Sequence, residues 1–202
     1  MVRGERYGVR MIHEIVTYGD PVLRQKCALV AEPDAALRAL AADMIDTMRA
    51  AAGVGLAAPQ LGKPIELAVV DVSHDPECLS YLRVNGVETT LSALMPLVFV
   101  NPRLELHGAR ISESEGCLSI PEMRGNVERP SEVRATLTLL DGSTIVVETD
   151  GLLARAIQHE TDHLNGILFT DRVSTAAKVR ARIALKRLLA ERGPRRYLPG
   201  PE

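Results

Sequence analysis

Gly151-Leu152-Leu153-Ala154-Arg155-Ala156-Ile157-Gln158-His159-Glu160-Thr161-Asp162-His163-Leu164-Asn165-Gly166 is the stretch on which the fold turns. Leu152, Leu153, Ala156, Ile157, His159, Glu160, His163 and Leu164 recur at helical spacing, and Asn165-Gly166 is the stop such a helix needs. Just upstream the period is two. Val133, Ala135, Leu137 and Leu139 alternate, Asp141-Gly142 marks a two-residue turn, and Thr144 to Glu148 returns, which predicts a β-hairpin leading into the helix.

Working outward, Leu37, Leu40, Ala41, Met44, Ile45 and Met48 follow Pro33 at three- and four-residue spacings and stop at Gly53, an amphipathic helix. Glu66 to Val72 and Leu97 to Asn101 read as strands. Between them Ser73 to Thr90 is polar, with Asp75-Pro76 and Asn85-Gly86, and reads as a loop or hairpin insertion. Met11 to Val16 reads as a short strand or extended entry before the turn cluster Tyr18-Gly19-Asp20-Pro21. A last helix, about Ser174 to Arg192, is apolar at Ala176, Val179, Ile183, Leu185, Leu188 and Leu189 and ends at Gly193-Pro194. Strands in runs with helices at the start and end predict an α+β fold, antiparallel sheets enclosing a central H-E-x-x-H helix, rather than a βαβ array. The expected organisation is an extension over 1–10, one catalytic domain over 11–192 with its basic helix at 173–192, and a flexible tail over 193–202.

The whole-chain composition narrows the function classes. With 46% hydrophobic and 25% charged residues in 202, the chain is globular rather than disordered. Its longest apolar stretch, around Ala93 to Val100, is broken by Pro96 and is too short to span a bilayer. The first eleven residues carry Arg3, Glu5, Arg6 and Arg10 with no apolar run behind them, so no signal peptide is read and the cytoplasm is expected. A net charge of −2, no Trp and 3% aromatics make general polyanion binding or base stacking a poor fit. Three cysteines in such a chain argue against a disulfide framework and leave a metal or catalytic role open for one of them.

His159 and His163 are four residues apart on a helix, hence on one face about one turn apart. Both imidazoles can reach one metal, and Glu160 stands beside an open coordination position. The plainer alternative is a helix face carrying two surface histidines. A catalytic site of this kind needs a third protein ligand, whose identity selects the chemistry. The metzincin completion fails, because Gly166 is in place but the required histidine position is Phe169. Glu191 is the glutamate a following helix could offer. Cys117, in Glu115-Gly116-Cys117-Leu118-Ser119, is a thiolate candidate in a connecting segment near Pro121, and Cys-His-His plus water suits zinc or ferrous iron. Cys27 and Cys78 read as small buried or loop residues.

Three stretches carry a family resemblance: Gly53-Val54-Gly55-Leu56-Ala57-Ala58-Pro59-Gln60, Glu115-Gly116-Cys117-Leu118-Ser119, and Gln158-His159-Glu160-Thr161-Asp162-His163-Leu164-Asn165-Gly166. In this order and spacing they resemble the motifs of the peptide deformylases, and with His13-Glu14-Ile15-Val16 and Gly19 to Leu23 the resemblance runs from about Met11 to Val173. It implies removal of the formyl group from the N-terminal formyl-methionine of newly synthesised chains, giving formate and a free amine. By position it implies Cys117, His159 and His163 as metal ligands and Glu160 as general base and acid. Gln60 and the backbone N–H of Leu118 would hold the oxyanion, with Gly55 beside them in the catalytic group. The implied cofactor is one divalent metal per chain, Fe2+ in the cell, with Zn2+, Ni2+ or Co2+ possible in purified protein.

For the substrate, Gly53 and Gly55 would let the backbone approach an extended peptide, since glycine tolerates unusual dihedrals and has no side chain in the way. Gly116 and Arg124 would flank that peptide. Leu152, Ala156 and Val54 are candidates for an apolar methionine pocket. Arg155 and Thr161 depart from the apolar residues expected there, and Arg155 is read as reaching over the rim toward the nascent chain. Lys178, Arg180, Arg182, Lys186, Arg187 and Arg192 concentrate positive charge on the last helix. The resemblance implies ribosome docking near the exit tunnel through that helix, against the plainer reading of a solvated face. No membrane partner is expected, and the protein is read as a monomer. The rival readings are a zincin-type metalloprotease and an inactive ribosome-associated relative.

Overall fold

The computed structural model describes residues 11–75 and 79–199. The expected extension over 1–10, Cys78 and the last residues of the tail lie outside the described residues.

The first elements are β1 (Ile15–Val16), a 3-10 turn over Pro21–Arg24, and α1 (Ala35–Ala50). Asp34 caps α1, its side chain accepting from Leu37 N at 2.7 Å, and Pro33 stands just before the cap. β2 (Gly55–Ala57) and β3 (Leu67–Val70) follow. Then come β4 (Leu82–Val84) and β5 (Val87–Glu88), joined at Asn85-Gly86 as the polar insertion predicts, and a short α2 (Leu91–Leu94). Two long strands, β6 (Leu97–Cys117) and β7 (Ile120–Thr138), form a hairpin, and β8 (Thr144–Asp150) returns along β7. The chain continues through α3 (Gly151–Leu164), a short α4 (Phe169–Arg172), α5 (Thr175–Arg192) and β9 (Arg196–Tyr197).

One seven-stranded antiparallel sheet has the order β2-β3-β6-β7-β8-β4-β5, and β1 pairs with β9 in a second sheet of two strands. The α+β expectation holds. β3 explains the layering. Leu67 and Val69 face the core under α1 with Met44, Met48 and Leu56, while Ala68 and Val70 face the core under α3 with Phe99, Leu137, Leu153 and Ile157. A strand covered on both faces is apolar at every position, and all four of these residues are fully buried. The same alternation puts Leu56 on the α1 side and Ala57 on the α3 side. Gly55, two residues before Ala57, therefore faces α3.

Further expectations need correction. β6 runs past Asn101 to Cys117, so Cys117 ends a strand, at the tight turn into β7, rather than lying in a connecting segment. Residues 105–114 of β6 are exposed, and a strand with neither face buried shows no apolar alternation to read. In α5 the side turned to the core carries buried Leu185 with half-buried Ala177, Ala181, Leu188 and Leu189, whereas Ala176 is exposed and Val179 and Ile183 are exposed at 59% and 65%. The tail is not loose over 193–199. Arg196 and Tyr197 pair with Val16 and Ile15, because β1 would otherwise present an open edge. The corrections at Arg155 and at Gly53 and Gly55 belong to the site.

Candidate metal centre

β6 delivers Cys117 and α3 delivers His159 and His163, one turn apart on its inner face. One ligand atom from each lies within 4.8 Å of the others. Cys117 Sγ is 3.2 Å from His163 Nε2. His159 Nδ1 lies 3.0 Å from Glu115 Oε2, which leaves Nε2 of His159 for the centre of the cluster. Thiolate plus two imidazoles, with one imidazole oriented from behind by a carboxylate, is a donor set suited to a divalent transition metal. Burial works against charge on His159, but hydrogen bonds to Cys117 and Glu115 outweigh it and raise its pKa well above the usual imidazole value. Burial also acts on His163, with the neighbouring His159 adding to it, and holds His163 neutral. A cation among the three residues would bind the deprotonated ligand atoms, so its binding releases protons.

Glu160 is 4% exposed on the same helix, and burial raises its pKa to about 7, the range a proton shuttle at neutral pH needs. Its Oε2 has no hydrogen-bond partner among the described residues, so it is available to a ligand. Gly55 makes the space for it: a Cβ there would stand 2.3 Å from Glu160 Oε1. A Cβ on Gly53 would stand 2.8 Å from Leu118 Cδ1. Neither glycine has a positive φ among those of the chain, so what they provide is room for Glu160 and Leu118 rather than unusual dihedrals.

Gln60 is 1% exposed on the 3-10 turn after β2. Its Oε1 accepts from Ala57 N at 2.8 Å, which turns Nε2 toward Ser119 Oγ at 3.2 Å and Cys117 Sγ at 3.6 Å. The amide therefore presents a donor beside the cysteine. A cavity of about 730 Å³ opens over this cluster. Gly53, Val54, Gly55, Gln60, Gly116, Cys117 and Leu118 line it together with Arg124, Leu152, Arg155, Ala156, His159 and Glu160. Arg124 sits at the rim opposite Gly116, its guanidinium on Ser114.

Arg155 departs from expectation. It is 8% exposed and does not reach over the rim: NH1 donates to Glu115 Oε1 at 2.7 Å and to Val127 O at 3.1 Å, NH2 donates to Ile111 O at 3.0 Å, and Nε pairs with Glu113. A guanidinium on the inner face of α3 finds acceptors in the long hairpin, and satisfying them there outweighs exposure. It meets residues that sequence reasoning missed. Arg129 holds Glu115 through two nitrogens, at 2.7 and 2.9 Å, and Asp162 through the third at 2.8 Å; Asp162 also pairs with Arg172. Burial opposes the charge on Glu115, yet the bonds from His159 and Arg129 keep it ionised far below the usual carboxylate range. Glu115 and Asp162 lie within the motifs and Arg155 stood out as a departure, but nothing in the sequence pointed to Arg129, since a lone Arg in an alternating strand reads as exposed. Phe169, where a metzincin would have its third histidine, is 2% exposed and stacks on the His159 ring at 6.5 Å. The side chain of Glu191 lies outside the described residues.

The polypeptide deformylase family model matches residues 12–179. The chain belongs to the peptide deformylase family. A deformylase of Opitutus terrae is 43% identical over 173 residues, 84% of this chain and 88% of that one. The Synechococcus elongatus deformylase, solved in complex with actinonin, is 36% identical, with a TM-score of 0.71 over 96% of this chain and 93% of its own. A plant peptide deformylase aligns over the full length of both chains at 31% identity with a TM-score of 0.74. Family members of this kind are hydrolases, and this chain keeps the fold with the Cys117, His159 and His163 cluster in place. Among the described residues no helix is long and apolar enough to cross a membrane.

Proposed function

We propose that the protein is a metal-dependent deformylase acting on the N-terminal formyl-methionine of newly synthesised chains. The observation that carries this is the convergence of a strand-end cysteine and two helix histidines within 4.8 Å, beside a buried glutamate and an oriented glutamine amide. Cys117, His159 and His163 hold the metal, Fe2+ in the cell, with Zn2+, Ni2+ or Co2+ able to occupy the same donors. When bound, such a metal supplies Lewis acidity and a nucleophile at neutral pH. Glu160 accepts the proton of the attacking water and hands it to the leaving nitrogen, so that the formyl C–N bond breaks to give formate and an amine. Gln60 Nε2 and Leu118 N–H donate to the carbonyl oxygen as it gains charge. Gly53, Gly55 and Gly116 leave backbone accessible to an extended peptide, and Val54, Leu152 and Ala156 receive the methionine side chain. Arg124, at the rim, faces the residues that follow.

The enzyme works in the cytoplasm as a monomer. α5 docks on the ribosome near the exit tunnel through Lys178, Arg180, Arg182, Lys186 and Arg187, all exposed. The testing experiment is formate release from a short formyl-methionyl peptide by anaerobically purified protein, with the unformylated peptide as control and metal content measured on the same sample. Formate with about one metal per chain is the expected result. A metal-loaded protein that releases none, across several residues after methionine, rejects the reading. Metal retention after Cys117→Ala would reject the proposed ligand set in favour of another zincin arrangement.

A further inference from the structure

The segment after α5 brings one more side chain to the cleft. β9 comes back to β1 with Tyr197 opposite Ile15. Thr17 locks this return: its N–H donates to Arg195 O at 2.9 Å, and its Oγ1 lies 2.9 Å from Arg195 N. Tyr197 then packs, half-buried, beside Leu118 against the core under α1 and lines the cavity over the metal centre. Its Oη donates to Leu118 O at 3.0 Å. The next carbonyl, Ser119 O, accepts from Tyr18 N at 2.7 Å. The two residues joining β6 to β7, immediately after Cys117, are thus held at successive carbonyls by both terminal segments of the domain.

That grip has a consequence for the reaction. A peptide unit rotates as one plane, so a hydrogen bond on the Leu118 carbonyl fixes the plane that follows Leu118 and restricts the rotation relating it to the Leu118 N–H. Hydrogen-bond donors to a developing oxyanion work only when held in place beforehand. We propose that Tyr197 is a positioning residue, its hydroxyl holding the Leu118–Ser119 turn so that the Leu118 N–H meets the scissile carbonyl. The inference rests on the deformylase reading for the role of that N–H, and the Tyr197 contact itself stands apart from it.

Tyr197→Phe keeps the ring and removes only the hydroxyl. In the metal-loaded full chain, kcat on a formyl-methionyl peptide is expected to fall about tenfold, while KM changes by less than about twofold and metal content and melting temperature hold. Amide hydrogen exchange in a peptide covering 117–120 is expected to rise in the same variant, with other peptides unchanged. A role in packing alone would leave kcat and the exchange at parental values, and either result overturns the proposal. Absence of formate from the parent protein would instead reject the deformylase reading, and the exchange measurement would still decide the contact.

Discussion

Glu160 has its carboxylate in a space that exists only because residue 55 has no side chain. A Cβ there, 2.3 Å from Glu160 Oε1, would meet an atom that the mechanism needs in place. Gly55→Ala is therefore expected to lower kcat by at least about tenfold while metal content stays near one per chain, since Cys117, His159 and His163 are untouched. Formate assay and metal analysis on one sample check both halves. Glu160→Gln keeps the volume and removes the proton shuttle, so turnover should drop by about a hundred- to ten-thousandfold with the metal retained. Normal formate release from that variant would remove Glu160 from the mechanism. At this scale the sequence was informative, because H-E-x-x-H on a periodic helix places its side chains by helical geometry alone. It was silent on why position 55 is glycine, since the neighbour of Gly55, Glu160, lies far along the chain.

The site is held together by two elements, α3 and the long hairpin of β6 and β7. Glu115 is the joint: it takes His159 from α3, Arg129 from β7 and Arg155 from α3. Removing one partner of such a group leaves buried charge uncompensated, which costs about 3–5 kcal/mol when no other partner remains. Arg129 makes two bonds to Glu115 and one to Asp162, so Arg129→Leu is expected to cost part of that, with Glu115 keeping Arg155 and His159 and Asp162 keeping Arg172. Arg155→Leu should cost less, because Arg155 gives Glu115 one bond where Arg129 gives two, and its other carboxylate partner, Glu113, is exposed. Urea denaturation of the two variants, with the order reversed or equal, would contradict this ranking. The basic face of α5 calls for a different measurement. Replacing its exposed Lys and Arg residues by glutamine should weaken ribosome binding and flatten its salt dependence without changing activity on a short peptide. Unchanged binding would leave α5 as a solvated cover for Leu185 and its neighbours.

For the molecule as a whole, stability should fall in acid. Asp71, at the end of β3, accepts from Arg49 of α1 at 2.7 Å and from Ser73, tying that helix to the sheet. Burial works to raise its pKa, but the hydrogen bonds from Ser73 and Arg49 prevail and hold it below the usual carboxylate value. A carboxylate depressed in the folded state stabilises above its unfolded pKa, and this contribution is lost as pH falls through the folded value. The parent is expected to exceed Asp71→Asn by about 1 kcal/mol at neutral pH, and the gap should close on acidification below about pH 4. Denaturation midpoints of the two proteins across pH test it; a gap that persists in acid would mean that Asp71 acts by packing.

By itself the sequence determined α1, α3, the hairpin of β7 and β8 and the pair of histidines, because each follows from a local period, a cap or a turn. It also marked Cys117 and Gln60, within motifs whose order is specific. Tertiary structure alone decided that β6 runs on to Cys117, that Arg155 turns inward to Glu115 rather than outward to substrate, and that Arg196 and Tyr197 come back to β1. Each of these outcomes depends on a partner far along the chain. An exposed strand carries no apolar pattern, a guanidinium goes where carboxylates and carbonyls are left to satisfy, and a two-residue strand forms only where an open edge is waiting.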